Sequence, residues 1–114
     1  MKLLTKALET KLISNYKANQ DSIGSLDFSP VVKIFGGGAF TWLFTEYDPE
    51  SRLFFGLCDV GQGSPELGYV SRDELEEIRF KPFNLPVERD LYTTFDKPLS
   101  YYTEIARRER KIEA

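Results

Sequence analysis

Between Thr41 and Ile78 the chain reads TWLFTEYDPESRLFFGLCDVGQGSPELGYVSRDELEEI, and this stretch constrains the fold more than any other. It sets three short apolar runs between strong turn signals and closes on a helix start. In Thr41–Tyr47, alternation puts Trp42 and Phe44 on one face and Leu43 and Tyr47 on the other. Asp48-Pro49-Glu50-Ser51 is a turn, with proline where a type I turn wants its fixed φ. Leu53–Asp59 returns as the partner strand, with Leu53, Phe55 and Leu57 opposite in face to Phe54, Gly56 and Cys58. Apolar residues on both faces predict a central strand pair covered on both sides, with Gly56 allowing a close approach or a bulge. A loop over Gly61–Pro65 leads to a short third strand, Glu66–Val70. Ser71-Arg72-Asp73-Glu74 then has the spacing of a capping box before a short helix that turns Leu75 and Ile78 inward.

The flanks supply what covers this meander. Leu4, Leu8, Leu12, Ile13 and Tyr16 fall at helical spacing, which predicts an amphipathic helix from Leu4 to about Asn19. A polar loop follows, and β-branched Val31–Phe35 reads as a first strand. Gly36-Gly37-Gly38 lacks the Lys-Ser/Thr and the helix that a phosphate loop requires, so it is expected to be a hairpin connection. Lys81–Pro86 is a connector, Val87–Thr94 a further strand by alternation, and Ser100 the candidate N-cap of a last helix. The expected fold is therefore one α+β domain over residues 1–114: an antiparallel sheet of about four to five strands, packed with N- and C-terminal helices and a short helix after the meander.

Composition narrows the chemistry. Among 114 residues there is no histidine and one cysteine, which removes imidazole acid–base work, the common zinc sites and any intramolecular disulfide. A lone Cys58 fits a reducing cytoplasm, and MKLLTK breaks at Thr5 and Lys6, short of a signal peptide's apolar region. No window is apolar enough for a membrane span, and a net charge of −3 does not favour nucleic acid. The basic run Arg107–Lys111 is diluted by Glu104, Glu109 and Glu113 and reads as a solvated helix face. No cofactor is implied. The acidic residues Asp59, Glu66, Glu88 and Asp90 are the candidate binding residues. If Asp59 and Glu66 converged at one sheet edge, their oxygens would suit Mg²⁺ or Ca²⁺ and a metal-bound water.

The order of motifs carries a resemblance. An opening MKLLTK, then TW-x₃-TEYDPE with FFG, ELGY-x-S-x-x-EL, and LP-x-ERDLY resembles the bacterial proteins grouped as the domain of unknown function 2958 family. The match runs from Met1 to about Tyr92. It implies a small cytoplasmic protein associated with plasmids, phages and integrative elements, with no defining activity and so no catalytic residues to carry over. The expectation is a non-enzymatic binding or adaptor protein of a mobile genetic element, meeting a host defence or DNA-processing protein through its acids. The alternative is a small carboxylate-based metal-dependent hydrolase.

Overall fold

The structure is a computed structural model, and it describes residues 2–114. Its elements are α1 (Lys6–Asp21), β1 (Val32–Gly36), β2 (Phe40–Asp48), β3 (Leu53–Asp59), β4 (Glu66–Ser71), α2 (Arg72–Glu77), β5 (Glu88–Arg89) and α3 (Leu99–Glu109). The strands form one antiparallel sheet in the order β4-β3-β2-β1-β5. This is the expected α+β arrangement, with β2 and β3 inside and β4 and β5 at the edges.

Helices lie on both faces of the sheet. Leu4, Leu12, Val32, Ile34, Trp42, Phe44, Tyr47, Phe54 and Leu75 form one buried cluster, so α1 and α2 cover the same face. Leu43, Leu57, Leu99 and Ala106 form the second cluster, between the other face and α3. Phe44 stacks on Phe54 with ring centroids 4.5 Å apart, at the middle of the first core. Among the described residues no helix is long and apolar enough to cross a membrane.

Local chemistry accounts for several element ends. The Thr5 hydroxyl accepts from Leu8 N–H and starts α1, and the Ser71 hydroxyl accepts from Glu74 N–H at 3.2 Å to start α2, as its spacing predicts. Gly37 and Gly38 both take left-handed φ in the three-residue loop that closes the β1–β2 hairpin, which is why glycine is needed there.

Three expectations are corrected. Tyr47 shares a face with Trp42 and Phe44, because β2 is bulged: Phe44 pairs with Gly56 but Glu46 with Phe55, leaving Thr45 as an extra residue. The expected strand Val87–Thr94 is only Glu88–Arg89. The Asp90 carboxylate accepts from Tyr92 N–H, Thr93 N–H and the Thr93 hydroxyl, and this turn ends the strand. The N-cap of α3 is Pro98 rather than Ser100, and Ser100 N–H donates instead to Asp27 at 3.2 Å.

Cys58 is half-buried beside the first core, and burial pushes its thiol up to about 11. Thiolate is the reactive form, so the native protein is expected to label slowly at pH 7 with a thiol-specific reagent and at a normal rate once unfolded. Rapid labelling without denaturant would show that β3 is not held as described.

Candidate functional site

Residues paired across an antiparallel sheet share a face, and this decides where the sequence-predicted acids point. Glu66 pairs with Cys58, which pairs with Trp42, so Glu66 belongs to the α1 face. Asp59 is one residue on, so it belongs to the α3 face, where it is buried. There its carboxylate accepts from Gly61 N–H at 2.9 Å and from Ile112 N–H at 3.0 Å, pinning the segment that follows α3. The two carboxylates flanking the β3–β4 loop therefore do not converge.

Glu88 and Asp90 lie at the opposite edge, on and just beyond β5. Glu88 is exposed. Asp90 is held down to about 2, first by the Tyr92 and Thr93 hydrogen bonds, with Lys33 3.8 Å away adding to the effect. Among the described residues no group of three or more carboxylates or thiols comes together in a way that could hold a metal ion. The basic run after Thr103 is a solvated face with partial pairing: Arg110 donates to the Gly63 carbonyl, Arg108 pairs with Glu109, and Lys111 lies near Glu113.

What the structure does assemble lies elsewhere. The bulge pairs Glu46 with Phe55, and Phe55 pairs with Tyr69, so carboxylate, phenyl and phenol form one row across β2, β3 and β4 on the α3 face. The two rings are tilted, with centroids 5.1 Å apart. This row floors a groove of ≈ 600 Å³. One wall is the Ile23–Phe28 loop and the other is the start of α3 at Leu99 and Ser100. Leu99 N–H donates to the Phe28 carbonyl at 2.8 Å and Ser100 N–H to Asp27, so the loop is tied to the helix.

At the other end Asn19 holds the loop. Its side chain donates to the Leu26 carbonyl at 3.1 Å and accepts from Leu26 N–H at 2.8 Å. The same amide nitrogen donates to Glu46 Oε2 at 2.6 Å. One turn earlier in α1, the Asn15 amide caps the Thr45 carbonyl at 3.0 Å, where β2 runs beyond its pairing with β1. The C-terminal half of α1 therefore replaces a strand along the free edge of bulged β2.

Glu46 is 9% exposed, and burial raises its carboxyl above the ordinary range, with the Asn19 hydrogen bond opposing that shift. Its other oxygen, Oε1, accepts no hydrogen bond from the described residues. Yet among the described residues no buried polar side-chain atom is left unsatisfied, so Oε1 keeps contact with solvent, and Glu46 is part of the groove lining. A second, smaller hollow of ≈ 180 Å³ on the other side of Glu46 is lined by Tyr16, Asp48 and Tyr69. Asp48 is held low, chiefly by the Ser51 hydroxyl.

A family model for a protein of unknown function, DUF2958, matches residues 3–113. The chain belongs to this family. No curated protein and no solved structure matches it. Two stretches that carry the resemblance to DUF2958, TEYDPE and ELGY, supply Glu46 and Tyr69 of the row. Neither Glu46 nor Asn19 stands out as a functional residue in the sequence. The available signal was the stripe Leu8, Leu12, Asn15, Asn19, where asparagines continue at helical spacing positions that leucines begin.

Proposed function

We propose that this DUF2958 chain is a non-enzymatic binding module that docks a partner protein in the groove beside β4, serving a mobile genetic element as an adaptor to a host protein. The observation that carries this reading is the exposure of large apolar side chains around one groove. Tyr69 is 71% exposed, Leu67 41% and Ile23 94%, all on the lining of the same hollow. Scattered exposed apolar residues are ordinary, whereas a set gathered on one groove that also carries polar groups suits recognition. β4 is also an edge strand whose outer backbone groups have no neighbouring strand. The hydrolase alternative has no comparable support, because the carboxylates it needs lie on different faces and edges.

The test is paired affinity capture from a bacterial host lysate. Wild-type protein and a Leu67→Ser/Tyr69→Ser variant serve as baits, with Glu88→Gln as a control on the far edge. The expected result is a partner retained by wild type and by Glu88→Gln but lost by the groove variant. Hydrogen exchange should then show protection of β4 and the Ile23–Phe28 loop in the complex. Equal recovery on all three baits would sink the assignment of the groove.

A further inference from the structure

We infer that the groove recognises an arginine side chain, presented by an apolar segment of the partner and seated on the Glu46–Phe55–Tyr69 row. The inference rests on the docking reading and adds the chemistry of the occupant.

Three features point the same way. First, the ionic lining has one sign: Asp27 and Glu46 line the main groove, Glu46 and Asp48 the smaller hollow, and neither lining includes a lysine or arginine. Of these acids, Asp27 is engaged by Ser100 N–H and Asp48 by Ser51 and Glu50 N–H. Asp27 and Glu46 each keep one carboxylate oxygen that accepts nothing from the described residues, but Asp27 is exposed to water whereas Glu46 is nearly buried beside the rings.

Second, the carboxylate adjoins two aromatic rings in register. A cation over an aromatic face within about 6 Å gains from the ring quadrupole, and the planar, weakly hydrated guanidinium does this better than an ammonium. A metal ion is a poor match for the same place, because a single free carboxylate oxygen beside two rings does not replace a hydration shell. Third, the row is bordered by Leu26, Leu67, Leu99 and Ile23, so an occupant needs apolar groups on either side of its charge.

Burial of Glu46 fits this use. An almost buried carboxylate with one hydrogen bond is incompletely compensated, and a guanidinium on Oε1 supplies the missing partner.

The experiment is an amide-resolved NMR titration of the full chain, isotopically labelled. The probes are an arrayed set of capped heptapeptides with arginine at the centre and varied apolar residues around it. Each peptide has a matched copy with citrulline, which keeps the shape and loses the charge. Members of the arginine set are expected to shift the amides of Leu26, Glu46, Phe55 and Tyr69. The citrulline copies should bind about tenfold more weakly.

Glu46→Gln keeps the acceptor for Asn19 and should weaken the arginine peptides by the same factor while leaving the citrulline set unchanged. Should Glu46→Gln fail to fold, Tyr69→Leu at an exposed position carries the test and should weaken the arginine set selectively. Citrulline copies binding equally well at the same amides would overturn the arginine inference and leave the groove as a docking site. Shifts confined to another surface, or none with either set, would overturn both.

Discussion

Gly56→Ala is expected to be among the most damaging single substitutions in the chain, costing about 3 kcal/mol or more. A methyl group built on Gly56 meets the Leu43 carbonyl oxygen at 1.9 Å and the Phe44 Cα at 2.8 Å. Those atoms belong to the backbone of β2, which is paired to β1 on one side and β3 on the other. Neither neighbour can yield without breaking ladder hydrogen bonds beside the bulge at Thr45. Gly68 gives the control, because it pairs with Gly56 in the next strand but an added methyl there meets nothing within 4 Å. Gly68→Ala is therefore expected within about 0.5 kcal/mol of wild type. Urea denaturation of the two variants decides it. Equal midpoints would mean that β2 is not held against β3 as described.

The contrast between these glycines also shows what the sequence can and cannot convey. That Gly56 marks a close approach was readable from its place in an apolar strand. So were the meander itself, its two-sided burial and the Ser71 cap, since each depends on residues within one turn or one alternation. The bulge was not readable. Thr45 continues the strand pattern chemically, and only the pairing of Glu46 with Phe55 reveals it as the extra residue.

That one insertion moves Tyr47 to the other face and places Glu46 in the aromatic row. The conditional convergence of Asp59 and Glu66 falls away for a related reason. Asp59 and Glu66 flank a short loop and look convergent, but the register opposes Glu66 to Cys58, which sends neighbouring Asp59 to the opposite face. The groove itself draws residues from α1, the following loop, β2, β3, β4 and α3, so no local motif could announce it.

Asn19→Ala is expected to cost about 3 kcal/mol at neutral pH, and the cost should depend on pH. The substitution deletes three hydrogen bonds: two to the Leu26 backbone and one to Glu46. Each such bond contributes about 0.5–1.5 kcal/mol net, and a buried acceptor left without its donor adds about 1–3 kcal/mol. Leu26 is partly exposed, so water replaces part of its loss, whereas Glu46 is nearly buried.

The sign of the pH effect follows from the direction of the Glu46 shift. Burial raises its carboxyl in the folded state, so the native form holds its proton at higher pH than the unfolded chain. The ionised form therefore burdens stability above the folded-state pKa, and that burden fades as pH falls through it. Removing Asn19 takes away the hydrogen bond that opposes the shift, so the Asn19→Ala penalty should be greatest at neutral pH and shrink toward acid.

Glu46→Gln alone should stabilise the protein at neutral pH, by an amount in the range of about 0.5–2 kcal/mol typical of substitutions that relieve a functional site. In the Glu46→Gln background, Asn19→Ala should lose its pH dependence and cost less, since it then removes the Leu26 bonds and a neutral side-chain bond rather than one to an ionised carboxylate. The measurement is a double-mutant cycle from urea denaturation at neutral and mildly acidic pH. If Asn19→Ala costs the same in both backgrounds and at both pH values, Asn19 acts through the loop alone, and Glu46 is not the strained carboxylate that an incoming arginine would relieve.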